Sequence, residues 1–178
     1  TLEHNVLTLR FKVPLFVRSQ HHRHRTWSYN EISRRYTDEN LEFYLPKHFR
    51  TQHKSNRQAS NEDVLINPLL QMYFPECSIP VNMRASEVMS NYVKDTLKIF
   101  DDLLAAGVCR EQARMILPQN LYTEYYGTCN LNNIIKFIEL RIDSHAQWEI
   151  QRVAQACLDI ITDLWPETLS GYYESKNV

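Results

Sequence analysis

The chain has 178 residues, 43% of them hydrophobic and 23% charged, which suffices for one domain with a buried core and is too little for two. Its 3 glycines and 7 prolines exclude collagen-like, low-complexity and disordered readings, and no apolar run is long enough to span a membrane. The net charge of −1 hides a division: residues 1–60 hold 11 Lys/Arg against 5 Asp/Glu, with six of the seven histidines, whereas residues 61–178 hold 9 against 16. Such a basic third is either a local site for an anion, such as a nucleotide phosphate, or a surface that the acidic remainder neutralises.

The N-terminus, Thr1-Leu2-Glu3-His4, has no starting methionine and no charged region leading into an apolar stretch. A single domain over 1–178 is therefore expected, with an upstream segment missing. Residues 5–13 alternate, Leu7, Leu9, Phe11 and Val13 against Thr8, Arg10 and Lys12, predicting a half-buried antiparallel strand. Pro14 ends it and opens a short helix over 15–22. The basic cluster Arg23-His24-Arg25 then enters a loop. A second strand is expected over 41–45, stopped by Pro46, and a surface loop over 47–60.

From 85 to 106, Val88, Met89, Tyr92, Val93, Leu97, Phe100, Leu103 and Leu104 recur at helical spacing, and Gly107 closes the helix. A shorter helix is expected over 111–117, before Pro118, and a strand rich in Tyr and Thr over 121–128. Helices follow over 130–142 and 145–165, the second with Ala146, Ile150, Val153, Cys157, Ile161 and Leu164 as its buried stripe. The fold class is α+β: an antiparallel sheet flanked by long helices. Cys77, Cys109, Cys129 and Cys157 are widely spaced, with no Cys-x-x-Cys and no zinc spacing, as in a reduced cytoplasmic protein. No metal is expected, because the His21, His22 and His24 group lies among cationic arginines.

Residues 23–35 read Arg-His-Arg-Thr-Trp-Ser-Tyr-Asn-Glu-Ile-Ser-Arg-Arg. No core segment has this composition. Guanidinium forks pair with phosphate oxygens, serine hydroxyls and loop N–H groups complete such a cradle, and a glutamate can orient an arginine or accept from a sugar hydroxyl. A solvated basic face is the competing reading. Ser28 and Ser33 have no triad partner in the sequence.

Arg23, His24, Arg25, Ser28, Asn30, Glu31, Ser33 and Arg35 fill the pattern R-H-R-x-x-S-x-N-E-x-S-x-R, and chance would fill eight such places with a probability on the order of 10^-10. This pattern resembles the signature of flavin-dependent thymidylate synthases. Residues 107–118, 120–123 and 140–150 are similar to the family's other blocks. Residues 50–60, with Gln52, Asn56, Gln58 and Ser60, resemble a loop found in many members. The resemblance covers about residues 3–165.

It implies an enzyme that makes thymidylate from dUMP, with FAD as redox cofactor, NADPH as reductant and methylenetetrahydrofolate as one-carbon donor. It also implies a homotetramer, and neither a nucleic-acid nor a membrane partner. Arg23, His24, Arg25, Glu31, Asn130, Asn132 and His145 fall at flavin-contacting places. Gln20, Arg23, Glu31, Ser33, Arg34, Arg35, Arg114 and Arg141 fall at nucleotide-contacting places. Arg141 corresponds to the catalytic arginine beside the uracil ring, while Lys136 departs from the asparagine or histidine expected at its place. The alternative is a non-catalytic nucleotide or nucleic-acid binding module using the basic aromatic loop 20–36, with Trp27, Tyr29 and Tyr36 as a stacking platform.

Overall fold

The computed structural model describes residues 1–33, 41–55, 60–74 and 79–176. Strand β1 (Val6–Pro14) pairs along its whole length with β7 (Tyr122–Asn130), antiparallel, from Val6 opposite Asn130 to Pro14 opposite Tyr122. Strand β2 (Ser28–Glu31) takes the other edge of β7, so the sheet order is β1-β7-β2. The alternation read from the sequence decides which face is inside. Phe11, Val13, Thr123, Tyr125 and Cys129 are buried, whereas Thr8 and Thr128 share a hydrogen bond of 2.8 Å and Arg10 pairs with Glu124 on the wet face.

Helix α4 (Leu131–Arg141) leaves β7 without a loop: the Asn130 side chain accepts from Asn133 N (3.0 Å) and caps it. Leu131, Ile134, Ile135, Phe137 and Ile138 of α4 fill the core. They meet Ile150, Ala154, Cys157 and Ile161 of α5 (Trp148–Leu164), and Leu169 of α6 (Pro166–Lys176) closes the end. Burying five such aliphatic and aromatic side chains on one helix stabilises the domain by roughly 1.5–3 kcal/mol each before chain entropy is subtracted.

The α+β class and the antiparallel sheet with long helices hold, with local corrections. Residues 41–45 form no strand: Phe43 makes one isolated bridge to Leu121, just ahead of β7, flanked by hydrogen bonds from Tyr122 N to the Glu42 carbonyl and from Tyr44 N to the Asn120 carbonyl, 2.8 Å each. The expected loop 47–60 contains β3 (Phe49–Gln52), which pairs with β4 (Ser60–Ile66) across a register shift at Arg50/Thr51. A second antiparallel pair, β5 (Leu69–Met72) with β6 (Val81–Arg84), lies where the sequence predicts no element. Two-stranded pairings of this kind depend on the partner strand rather than on periodicity.

Helix α2 (Ala85–Ala105) ends at Gly107, whose φ of 87° suits glycine. It packs on β5, β6, α3 (Arg110–Ala113) and the 3-10 turn Arg114–Ile116. Only part of its apolar stripe is covered, for Val93 and Phe100 are buried while Tyr92 is 57% exposed. Helix α5 starts at Trp148 and not at 145, because Asp143 accepts from His145 N (2.8 Å) and Ala146 N (2.9 Å) in a local turn. Within its stripe, Ala154 is buried and Leu164 is exposed.

Gly127 is needed on β7 for space rather than for φ. A Cβ there would lie 3.0 Å from a Phe11 ring carbon and 3.2 Å from Trp27. Gly127→Ala is expected to cost about 1–3 kcal/mol of stability in urea unfolding; a loss within experimental error would contradict this close approach.

Candidate active site

Helix α1 (Leu15–His21) buries Val17 and His21, one turn apart. His21 Nδ1 lies 2.8 Å from the Tyr125 hydroxyl of β7, and its ring sits among Trp27 (4.5 Å), Phe137 (4.6 Å) and Phe11 (4.7 Å). Burial, then the charges of His24, His22 and Arg141, push its pKa down to about 3. The His21 carbonyl accepts from His24 N (3.0 Å) and from the Tyr29 hydroxyl (3.0 Å). The basic turn between α1 and β2 is thus tied down from beneath, with Thr26 at φ 65° in its reversal and Arg23 and Arg25 exposed on its outside.

His24, half-buried, stacks edge-on against Phe137 at 4.9 Å. Its Nε2 accepts from Arg141 Nε at 2.9 Å, and Arg141 Nη2 also donates to the Gln20 carbonyl at 3.4 Å. Burial, then the Arg141 charge, lower the His24 pKa to about 4. A neutral ring accepting at Nε2 carries its proton on Nδ1. Burial also lowers the Arg141 pKa from its ordinary value. At the C-terminus of α4, a guanidinium is where the helix dipole favours a cation.

On another side of α1, Glu31 accepts from Arg18 Nη1 (3.1 Å) and from Thr123 Oγ1 (2.6 Å). These three residues, with Ser33, Glu111 and Arg114, line a cavity of about 670 Å³. Arg114 is exposed and its Nε donates to the Glu111 carbonyl at 3.4 Å.

Asn130 and Asn132 stand at the opposite end of α4 from Arg141, about 13 Å along the helix axis from Asn132. Asn130 Oδ1 is committed to Asn133 N and Nδ2 (2.7 Å). His145 is exposed, with Nδ1 2.7 Å from Asp143 Oδ1, which leaves Nε2 outward. Most of the expected site residues therefore fall into three groups within one chain: Glu31, Ser33 and Arg114 at the cavity; Gln20, His24 and Arg141 between α1 and α4; Asn130 and Asn132 at the α4 N-terminus; Arg23, Arg25 and His145 stand exposed outside them. Arg34 and Arg35 lie outside the described residues. Arg18 and Thr123 join the cavity without any local signal in the sequence, the one an arginine on a short helix and the other a threonine inside a strand.

A model of the family described as "Thymidylate synthase complementing protein" matches residues 1–167. A flavin-dependent thymidylate synthase of Thermosipho melanesiensis is 38% identical over 170 residues, covering 96% of this chain and 69% of the relative. That of Thermus thermophilus is 37% identical over 169 residues, covering 95% and 57%. This chain belongs to the flavin-dependent thymidylate synthase family.

The fold agrees with that membership. The UMP/dUMP methylase PolB of Streptomyces cacaoi, solved with 5-Br dUMP, superposes with a TM-score of 0.72 at 27% identity over 93% of this chain and 69% of that one. Its complex with 5-Br UMP gives 0.68 at 28% identity, over 93% and 72%.

Two histidines held neutral have a consequence for stability. Because the folded pKa values lie below the ordinary 6.5, the unfolded chain binds more protons as the pH falls. Their contribution is complete well above pH 6.5 and is lost as the pH falls through about 4 for His24 and about 3 for His21. Urea midpoints are expected to fall from about pH 7 to about pH 4.5, and to fall less steeply in His21→Gln; equal slopes would contradict a buried neutral His21.

Proposed function

We propose that residues 1–178 form one catalytic domain for thymidylate synthesis, the FAD- and NADPH-dependent reductive methylation of dUMP with methylenetetrahydrofolate as one-carbon donor. The observation that carries this reading is the cavity where Glu31 and Ser33, from the end of the basic segment, meet Arg114 from a distant stretch of sequence. Its guanidinium, hydroxyl and carboxylate groups suit the phosphate and sugar of a nucleotide. Gln20, Arg23, Arg34 and Arg35 complete the nucleotide contacts in this reading.

Arg141 is the group for the uracil ring. His24 and the Gln20 carbonyl hold its guanidinium in one orientation, so it can stabilise negative charge on the ring with little reorganisation. Glu31 is held by Arg18 and Thr123 at two points, leaving its other lone pairs for a ligand donor.

The residues present fit a flavin. Arg23 and Arg25 are exposed beside His24, and within the same turn Trp27 Nε1 and His22 Nε2 are buried without a partner among the described residues. Arg23, His24, Arg25, Glu31, Asn130, Asn132 and His145 would hold it through diphosphate and ring contacts. When bound, it supplies the redox chemistry, while the protein supplies orientation and charge.

A protein thiolate has no evident part. Burial, then for Cys129 the neighbouring Cys157, pushes both thiols up to about 12, so neither forms a nucleophile near neutral pH. Cys109 is exposed at the start of α3, and Cys77 lies outside the described residues.

The separation of the site residues along α4 supports a homotetramer in which copies complete one another's sites. So do the apolar side chains exposed on the hairpins, among them Val64, Leu65, Leu69 and Leu70. No helix among the described residues is long and apolar enough to cross a membrane; a cytoplasmic location is part of the proposal. Against the nucleic-acid reading stands the packing of two of its three rings; the third, Tyr36, lies outside the described residues. Tyr29 stacks on His22 at 4.0 Å and Trp27 packs on His21, so both rings are engaged inside the fold.

Purified protein is expected to be yellow and to form thymidylate with dUMP-dependent oxidation of NADPH when the folate is supplied; a colourless protein with no product would refute the reading. Arg141→Ala should lower kcat about a hundred- to thousandfold at saturating dUMP, and lower flavin content far less. Near-normal turnover would remove Arg141 from the chemistry. Replacing Cys109 with alanine and the buried thiols with alanine or valine should leave thymidylate formation intact in folded, flavin-loaded protein. Complete loss traced to one cysteine would instead assign a thiolate to attack on the uracil.

A further inference from the structure

Gln20 stands where two hydrogen-bond systems join. Its backbone carbonyl accepts from Arg141, and its side-chain Nε2 donates to Gln147 Oε1 at 2.5 Å. Gln147 Nε2 donates in turn to Glu149 Oε2 at 2.9 Å. The other oxygen of Glu149 takes Arg50 Nη2 at 2.6 Å and the Tyr44 hydroxyl at 3.2 Å. The far end is well anchored: the Glu149 side chain is 10% exposed, and Arg50 also donates to Ser60 Oγ (3.0 Å) and lies 5.1 Å from the Trp148 ring centre.

This chain of contacts has a direction. Burial opposes ionisation of Glu149, but hydrogen bonds from Arg50 and Gln147 hold its pKa below the usual carboxylate range. An ionised carboxylate only accepts. The Gln147 group facing it must then be the NH2, so the Gln147 carbonyl faces Gln20, and Gln20 must answer with its own NH2. Gln20 Oε1 is thereby turned away from Gln147, and no donor among the described residues takes it up. Without the carboxylate, either amide could flip at little cost in shape.

We propose that Glu149 and Gln147 are positioning residues that lock the Gln20 amide with its carbonyl toward the ligand, so that Gln20 reads an N–H or O–H donor of the nucleotide beside Arg141. The proposal rests on the nucleotide-site reading above. It makes the β3–β4 hairpin, through Arg50, part of substrate recognition. Neither residue need touch the ligand.

The test is nucleotide binding by calorimetry to the protein and to Gln147→Met, which leaves the Arg50–Glu149 pair intact. Kd for dUMP is expected to rise about three- to tenfold, as for one lost hydrogen bond, and KM to rise more than kcat falls. Two analogues identify the donor, 3-methyl-dUMP without the ring N–H and 3′-deoxy-dUMP without the ribose hydroxyl. The one lacking the group that Gln20 reads should bind equally well to both proteins. A change in dUMP affinity below twofold, or equal weakening of dUMP and both analogues, overturns the proposal. Glu149→Gln, which makes the far end ambiguous, should weaken dUMP in the same direction and serves if Gln147→Met fails to fold. The polarity also has a readout without ligand. Gln20→Glu sets two acceptors face to face, and adding Glu149→Gln lets Gln147 reverse, so the double variant should melt higher than the two single shifts add up to. Additive shifts overturn the proposal. If the unaltered protein does not bind dUMP, the nucleotide reading falls, and these melting temperatures still decide the polarity.

Discussion

The hydrogen bond between His21 and Tyr125, buried at the centre of an aromatic cluster, is the constraint on which the functional region depends. It joins the last turn of α1 to the central strand β7. The His21 carbonyl then receives both His24 N and the Tyr29 hydroxyl, so one residue fixes the geometry of the turn and of the strand that follows. A neutral imidazole suits this role. It offers one hydrogen-bonding atom to Tyr125 and packs its carbon face against Phe11, Trp27 and Phe137, and a charge there would be desolvated against neighbouring cations. A basic turn that would repel itself in solution is thereby held as a surface with defined shape, Arg23 and Arg25 outward and His24 against Arg141.

From that support, α1 and α4 divide the chemistry in space. Arg18 faces Glu31 and the cavity, while Gln20, two residues on, belongs to the side of the helix that meets Arg141 and Gln147. Helix α4 carries Asn132 at one end and Arg141 at the other, and its length keeps them apart. A single chain thus presents partial sites on several faces. The hairpins add exposed apolar surface, with Val64, Leu65, Leu69 and Leu70 open. Both features are ones that the proposed homotetramer would use.

Electrostatic order inside the site comes from neutral and charged groups used alternately. Arg141 is held by a neutral histidine and a carbonyl, and among the described residues no carboxylate cancels its charge. Arg18 and Arg50, by contrast, are each paired with a glutamate and serve to place it. The two kinds of arginine look alike in the sequence and differ only in what the fold puts beside them.

The sequence by itself determined the elements with strong periodicity and the chemical character of the site. The alternation at Leu7, Leu9, Phe11 and Val13 requires a strand with one buried face, and the stripe from Val88 to Phe100 requires a helix, because each pattern repeats with the period of its own backbone. The density of arginines, serines and Glu31 between residues 23 and 35 marks a site because no core tolerates it. Tertiary structure alone decided the rest. Residues 49–52 and 69–72 are strands only because partners lie beside them, while Phe43 makes only an isolated bridge, to Leu121 just ahead of β7. Arg18, Thr123, Gln147 and Glu149 acquire roles through contacts with residues 2 to 127 positions away. Local periodicity reports burial along one element, whereas a hydrogen bond between two elements depends on where both chains are placed, and only folding supplies that.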